Sequence, residues 1–279
     1  MSETSISSGS GTRWLSENPD KAWAEKIYLL YSPVWMTVMG LVMATGLVNS
    51  FGEIAYNLVG LLVMLPFLLI PAFLSGARPD LHQGKAWYET FWFKSNLYMW
   101  SFVFWGSYFG SEYFFDVLGM VYDYPMIEKT NFDAALLGSG EQKVPLTMYF
   151  LAHAYFMTYH TTAVVVLRRI KTSNIPFRAL IWPVMIFVIG YFWAWMETKA
   201  MANPFIEQAF YYKDMARMLA FGSIMYAFYF ISSFPIYYFL DEVREKSWSL
   251  WYTFMASCTA GMLTMYLLDF WTHFVGPIY

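Results

Sequence analysis

The sequence predicts an all-α integral membrane protein: a bundle of about seven transmembrane helices, with an interfacial helix between the second and third. The first observation is composition, because 58% of the 279 residues are hydrophobic and 22% are aromatic. The second is charge: only 13% of the residues are charged, about half the share of an average soluble domain. The third is the length of the apolar runs, since a helix needs about 20 residues to cross a hydrocarbon core.

The apolar runs give seven predicted spans, and the chain around them gives a single transmembrane domain, 18–279. The spans are 27–48, 54–75, 92–111, 146–167, 178–196, 218–239 and 250–275. Residues 1–17 are rich in Ser and Gly, and they predict a disordered cytosolic tail. Asn18 followed by Pro19 is a helix start signal, so the first helix is expected to begin there.

Prolines and charges predict two further local features. Pro33, Pro66 and Pro71 lie within the first two spans and are expected to kink them. The segment from Arg78 to Lys94 mixes charged and aromatic residues, which favours a helix lying in the lipid headgroups.

Basic residues divide unequally between the two sides that seven spans would define. Under the positive-inside rule, Lys and Arg in the segments between spans set the orientation. Twelve of the 17 basic residues would lie on the side of the N-terminus: Arg13, Lys21, Lys26, Arg78, Lys85, Lys94, Arg168, Arg169, Lys171, Arg178, Arg244 and Lys246. The other side would hold Lys129, Lys143, Lys199, Lys213 and Arg217. This division predicts a cytosolic N-terminus, in the endoplasmic reticulum of a eukaryote or the inner membrane of a bacterium.

Two histidines share one face of the fourth span. His153 and His160 are seven residues apart, which is about two helical turns and about 10.5 Å of rise. They are too far apart to bind one small ion together. Each is either a core histidine bonded to a neighbouring helix or a polar group in a cavity, and Tyr149 on the same stripe favours the cavity.

The number of histidines and the positions of the lysines argue against two classes of membrane protein. Membrane di-iron oxygenases need about twice the four histidines present, so desaturase and hydroxylase chemistry is disfavoured. A seven-helix retinal protein needs a lysine in its last span, and no lysine follows Lys246.

Several carboxylates lie at membrane depth, where an unpaired charge costs several kcal/mol. Glu197 ends the fifth span, Asp269 lies within the seventh, and Asp241 closes the sixth. Glu112 and Asp116 form an i,i+4 like-charge pair that is expected to face water at a span end.

The stretch around Glu197 combines an acid with groups that suit a cationic intermediate. Trp193 stands one turn before Glu197 and offers an aromatic face, and Asn203 offers an amide six residues later. A carboxyl group kept neutral by its surroundings can donate a proton. The alternative is a plain helix end, at which Glu197 and Lys199 reach water.

In its short motifs the chain resembles the cycloeucalenol cycloisomerase, or cyclopropyl sterol isomerase, family. Motifs from Asn18 to the C-terminus carry the resemblance in the family's order: Asn18-Pro19-Asp20-Lys21, Tyr31-Ser32-Pro33-Val34-Trp35, Lys94-Ser95-Asn96-Leu97, Tyr113-Phe114-Phe115-Asp116, Phe150-Leu151-Ala152-His153, Leu167-Arg168-Arg169, Glu197-Thr198-Lys199-Ala200-Met201-Ala202-Asn203, Ser233-Phe234-Pro235 and Leu268-Asp269-Phe270-Trp271.

The resemblance implies a membrane isomerase that opens the 9β,19-cyclopropane ring of cycloeucalenol, or of a cycloartenol-type sterol, to a Δ8 sterol such as obtusifoliol. One proton enters at C19 and another leaves C8, so the reaction needs no cofactor and no metal. The implied partners are a sterol substrate and membrane lipid, without nucleic acid.

The resemblance also assigns roles to individual residues. Proton transfer is expected from Glu197, His153 and His160, with Asp269 and Asp241 as relay or charge partners. Substrate binding and orientation are expected from five others: Asn203, Asn96, Lys94, Trp193 and Tyr149. A non-catalytic sterol-binding or sterol-sensing protein is the principal alternative, and an unrelated seven-helix receptor or transporter is a third.

Overall fold

A computed structural model describes residues 11–82 and 84–279, and most of these residues are helical. The helices are α1 Pro19–Ala44, α2 Glu53–Met64, α3 Pro66–Ser75, α4 Pro79–His82, α5 Phe91–Trp105, α6 Ser111–Asp116, α7 Leu146–Lys171, α8 Arg178–Met201, α9 Met215–Arg217, α10 Ser223–Phe239 and α11 Leu250–Phe274. Two strands, β1 Met120–Tyr122 and β2 Phe210–Tyr212, form the sheet of the described chain. The predicted helical class is therefore confirmed.

Four segments in the described part of the chain are long and apolar enough to cross a membrane. They are Pro19–Ala44, Leu146–Lys171, Arg178–Met201 and Met215–Phe239, and the bent pair α2 and α3 makes a fifth if it is one span. The expected spans 92–111 and 250–275 correspond to α5 with α6 and to α11, which are not among these segments. The structure thus supports four or five spans directly.

Two local effects that the sequence predicts are present in the structure: an asparagine that begins the first helix and a proline that bends the second span. Asn18 caps α1, its side-chain oxygen accepting the backbone N–H of Asp20 at 3.2 Å. The chain bends by 42° between α2 and α3, where Pro66 begins the second helix. Pro66 has no N–H to continue the hydrogen-bond ladder, and this accounts for the bend.

The interfacial segment is less helical than the sequence predicts. Between Arg78 and Lys94, before α5 begins, the structure holds the short α4 and a 3₁₀ turn, Trp87–Glu89. Gly84, with φ +75°, interrupts the segment, because this left-handed conformation cannot continue a right-handed helix.

A π turn, Gly106–Gly110, joins α5 to α6 without a break in the helical path. The side chain of Tyr229 on α10 packs directly on it, and a Cβ added to Gly106 would lie 2.9 Å from that ring. A Cβ added to Gly110 would lie closer still to the Tyr229 side chain, at its hydroxyl oxygen. The two glycines therefore let α10 approach the α5–α6 segment.

The carboxylates of α6 differ from the expected solvent-facing pair. Glu112 is buried at 3% exposure, because the loop at Gly138 folds back over it. Asp116 accepts the backbone N–H of Ser139 at 2.7 Å. The prediction that both face water is wrong for Glu112.

Buried charges gather at the end of the bundle nearest the N-terminus. Arg168 donates to Glu25 and to Glu242, each at 2.6 Å, and Lys21 lies 3.0 Å from Glu242. Residues 11–17 of the predicted tail lie here too, since Arg168 also donates to the Trp14 carbonyl at 2.8 Å. Residues 1–10 of that tail lie outside the described residues.

Candidate active site

A cavity lies toward the end of the bundle opposite the buried charges. It has about 790 Å³ of empty space, which includes space open to solvent. Helices α7, α8 and α10 and the α5–π–α6 segment form its walls, and β1 and β2 contribute Met120, Tyr122, Phe210 and Tyr212.

The sheet that closes this end joins two distant loops. Met120 pairs with Tyr212 and Tyr122 pairs with Phe210, in antiparallel register. Outside the strand pairing, the Gln142 side chain accepts the backbone N–H of Tyr122 at 2.8 Å and donates to the Met120 carbonyl at 2.9 Å. These polar backbone groups therefore have partners beside an apolar space.

Glu197 is the one carboxylate among the described residues that line the cavity. It stands near the end of α8, one turn before Met201. The Tyr226 hydroxyl, from α10, donates a short hydrogen bond to its Oε2 atom. Glu197 is half-buried, which agrees with its position in a cavity wall.

Aromatic faces surround this acid. Tyr155, Tyr226 and Tyr229 line the same cavity, and Tyr226 packs edge-on against Phe114 with ring centroids 4.9 Å apart. Aromatic faces attract a cation through their quadrupole, so the cavity can stabilise positive charge that develops on a bound apolar molecule.

Trp193, expected near the substrate, lies behind this wall. Its ring stacks on Tyr159, with centroids 4.4 Å apart and planes inclined by 25°. Tyr159 in turn packs on Tyr155, so Trp193 supports the cavity without lining it.

Hydroxyl groups also line the cavity. Thr198 Oγ1 is buried and has no hydrogen-bond partner among the described residues. Ser107 and Ser111 line the wall at the π turn. Burial raises the pKa of the Tyr122 and Tyr212 hydroxyls, so both remain neutral donors.

The two histidines are not among the residues that line the cavity. His153 Nε2 lies 3.0 Å from Asn96 Oδ1, and His160 Nε2 lies 2.7 Å from Ser233 Oγ. Both side chains are fully buried. The histidine hydrogen bonds thus link α7 to α5 and to α10.

Asn96 is the centre of a separate buried network. Its amide nitrogen donates to the carbonyls of Trp92 at 2.7 Å and Phe67 at 3.1 Å. With its nitrogen acting as donor, its oxygen must accept, so His153 donates from Nε2 and leaves Nδ1 unprotonated. That Nδ1 atom has no partner among the described residues.

Lys94 and Asp241 form an ion pair at the end nearest the N-terminus. Asp241 also accepts the backbone N–H of Trp248 at 2.7 Å, and Lys94 donates to the Trp248 carbonyl at 3.0 Å. The pair therefore fixes the segment between α10 and α11 and does not line the cavity.

The remaining expected site residues make local contacts. Asp269 is exposed on α11 and accepts the Tyr113 hydroxyl at 3.3 Å. Asn203 accepts the backbone N–H of Phe205 at 2.9 Å, which stabilises the turn after α8. The Tyr149 hydroxyl donates to the Phe132 carbonyl. None of these three residues lines the cavity.

Sequence reasoning missed Tyr226, Thr198, Ser107 and Ser111. Tyr226 is one of 22 tyrosines, and no spacing distinguishes it from the others. Thr198 follows Glu197 directly, but its burial depends on the neighbouring sheet. Within 11–82 and 84–279, no group of three or more His, Cys, Asp or Glu side chains is placed to hold a metal ion.

Comparison with curated proteins finds one relative across nearly the whole chain. Cycloeucalenol cycloisomerase of Arabidopsis thaliana is 35% identical over 278 residues, covering 97% of this chain and 92% of the relative. No protein-family model and no solved structure matches the chain.

Proposed function

This chain belongs to the cycloeucalenol cycloisomerase family, and from that premise we propose that it opens the 9β,19-cyclopropane ring of cycloeucalenol or a cycloartenol-type sterol. The product is the corresponding Δ8 sterol, obtusifoliol in the case of cycloeucalenol. One observation carries the proposal: Glu197, held by Tyr226, is the one carboxylic acid among the described residues that line a cavity of aromatic, aliphatic and hydroxyl-bearing side chains.

Glu197 in its acid form is assigned the first proton transfer. Its proton goes to C19, the electron pair of the C9–C19 bond forms the new C–H bond, and the positive charge appears at C9. A cyclopropane is a weak base, so the acid must be held close in a site from which water is excluded. The Tyr226 hydrogen bond holds the carboxyl group in one position.

The same residue is assigned the second step. The carboxylate left on Glu197 accepts the proton from C8, and the C–H electron pair becomes the C8–C9 double bond. No net proton is consumed, and Glu197 regains its acid form. Tyr155 and Tyr229 stabilise the C9 cation between the two steps.

This assignment differs from the roles predicted for the other polar residues. His153, His160 and Asn96 link α5, α7 and α10 by hydrogen bonds, and Lys94 with Asp241 fixes the end of α10. We propose positioning roles for them, and for Trp193 behind the cavity wall. No cofactor is required.

The proposed membrane arrangement keeps seven spans with a cytosolic N-terminus. The α5–π–α6 segment runs from Phe91 to Asp116, and α11 from Leu250 to Phe274, so both are long enough to cross at 1.5 Å per residue. Glu197 then lies nearer the non-cytosolic face. The host membrane is the endoplasmic reticulum of a eukaryote or the inner membrane of a bacterium.

The test is conversion of a purified sterol. The protein is expressed, purified in detergent and incubated with cycloeucalenol or cycloartenol, and the Δ8 product is measured by mass spectrometry. The Arabidopsis relative, treated in parallel, is the positive control. Sterol binding without conversion of either substrate, while the control converts them, would support the non-catalytic alternative instead.

A further inference from the structure

A second cavity adjoins the one that holds Glu197. It has about 480 Å³ of empty space, which includes space open to solvent, between α1, α2, α7 and the turn that follows α8. Its lining is mostly apolar and includes Met39, Met43, Val59, Ile206 and Ala209.

Three residues line both cavities: Met148, Leu151 and Met201. The wall between the cavities is therefore made of two methionines and a leucine. Methionine is unbranched and adapts its shape to what lies beside it, so this wall can yield to an apolar chain by changing rotamers. Glu197 lies one turn of α8 before Met201, about 6 Å along the helix axis.

The first cavity differs chemically from the second. Ser107 and Ser111, from the π turn and the start of α6, line the first cavity and are not among the residues that line the second. Along the two cavities the order is thus a first cavity with hydroxyl groups and the acid, then a mostly apolar extension.

A sterol has the same order of groups along its length. Its hydroxyl is on ring A, its C9–C19 bond is central, and its alkyl side chain projects from ring D. We propose that the second cavity is the subsite for the sterol alkyl side chain, with the 3-hydroxyl lying at Ser107 and Ser111. This inference rests on the proposed function, because it takes the substrate to be a sterol.

The orientation can be tested without turnover. A cyclopropyl sterol with a photoreactive diazirine at the end of its side chain is irradiated with the intact protein, and the labelled peptide is identified by mass spectrometry. Labelling is expected within α1 or α2, at residues such as Met43 and Val59. Labelling confined to 102–114 would reverse the orientation and overturn the inference.

Kinetics give an independent test with two variants from different parts of the chain. Val59→Phe and Ala209→Phe each reduce the space in the second cavity and leave the first unchanged. KM for a sterol with a full side chain is expected to rise about tenfold or more. KM for an analogue with the side chain shortened to a methyl group is expected to stay within about twofold. Those factors correspond to about 1.4 kcal/mol and about 0.4 kcal/mol.

The matched control is Leu58→Phe, which adds similar bulk at a neighbouring position of α2 that is 51% exposed. Equal losses for the long and short sterols in both cavity variants, or no loss for either, would contradict the subsite. Wild-type protein that converts neither sterol but is labelled on α1 or α2 would contradict the proposed function alone. The two failures are therefore distinguishable.

Discussion

The Tyr226 hydroxyl of α10 donates a hydrogen bond to Glu197 Oε2 of α8, inside the aromatic cavity. These two helices pack along much of their length. Gly190 of α8 has no side chain, which leaves room for Phe230 of α10 at the contact. The position of the acid is therefore fixed by a tertiary contact between two spans, not by the helix end on which it lies.

Replacing the acid is expected to stop turnover. Glu197→Gln keeps the shape of the side chain but has no proton to give at C19, so kcat should fall at least about 100-fold. Equilibrium binding of the sterol should change little, because the amide can still accept from Tyr226. The measurement is product formation together with binding of a radiolabelled sterol. Glu207→Gln, on an exposed turn, is the control. A near-normal rate in Glu197→Gln would exclude Glu197 as the acid.

Removing the tyrosine hydroxyl is expected to slow the reaction without stopping it. Tyr226→Phe keeps the ring but removes the hydrogen bond that stabilises the carboxylate formed as the proton leaves Glu197, and a hydrogen bond to a charged group contributes about 1.5–3 kcal/mol. The expected loss in kcat is therefore about 10- to 100-fold. Tyr266→Phe, exposed on α11, should leave kcat unchanged. Equal rates for Tyr226→Phe and wild type would show that Tyr226 does not position the acid.

The buried charges allow a comparison of two adjacent arginines. Arg168 is fully buried between Glu25 and Glu242. Arg168→Ala removes the arginine partner of Glu25 and leaves Glu242 with Lys21 alone, so it should cost about 3–5 kcal/mol. Arg169 bonds the Thr12 carbonyl near the surface, and Arg169→Ala should cost less than about 1 kcal/mol. Thermal unfolding in detergent, followed by tryptophan fluorescence, measures both. Similar melting temperatures for the two variants would contradict the stabilising role of the cluster.

Glu242 should make stability depend on pH in the acid range. Burial alone would raise the pKa of this carboxyl, but Lys21 and Arg168 hold it below its usual 4.5. Because the folded pKa is below the unfolded one, the contribution is fully present above about pH 4.5 and is lost as pH falls toward the folded pKa. Unfolding temperatures between about pH 3 and 7 should show this loss. In Glu242→Gln the unfolding temperature should fall less steeply as the pH is lowered. An unchanged fall would show that Glu242 does not cause it.

Seven spans place the loop before α7 and the loop before α11 on opposite sides of the membrane. Cys258 is the one cysteine in the chain, so Cys258→Ser gives a cysteine-free background. Leu136→Cys and Lys246→Cys then add thiols at exposed positions. An impermeant maleimide should label the first from the non-cytosolic side and the second from the cytosolic side. Labelling of both from one side would exclude an odd number of spans between them.

Local features of the fold followed from local chemistry. Asn18 caps the first helix, and Pro66 divides the second span, because each effect depends on one residue and its immediate neighbours. The predicted interfacial helix is longer than the helix in the structure, because Gly84 takes a left-handed conformation that composition does not reveal. Apolarity and length support four or five spans in the described chain, and α11, predicted as the seventh span, is not among them.

The site was predictable only in part. Glu197 stood out as a carboxylate at the end of an apolar run, and it does line the cavity. His153 and His160 share a helix face, but spacing cannot say which neighbour that face meets. The pairing of β1 with β2 joins loops about 90 residues apart, so no local pattern could indicate the cavity it closes.

The buried charges constrain the order in which the protein can assemble. Glu25 is made 143 residues before Arg168, the partner it finally binds. During synthesis the first helix is therefore complete before Arg168 and Glu242 have been made. Lys21 and Glu25 are four residues apart on that helix, and opposite charges at this spacing attract each other. In the newly made α1, Lys21 and Glu25 can therefore neutralise each other. Their contacts with Arg168 and Glu242 form only after α10 and Glu242 have been made.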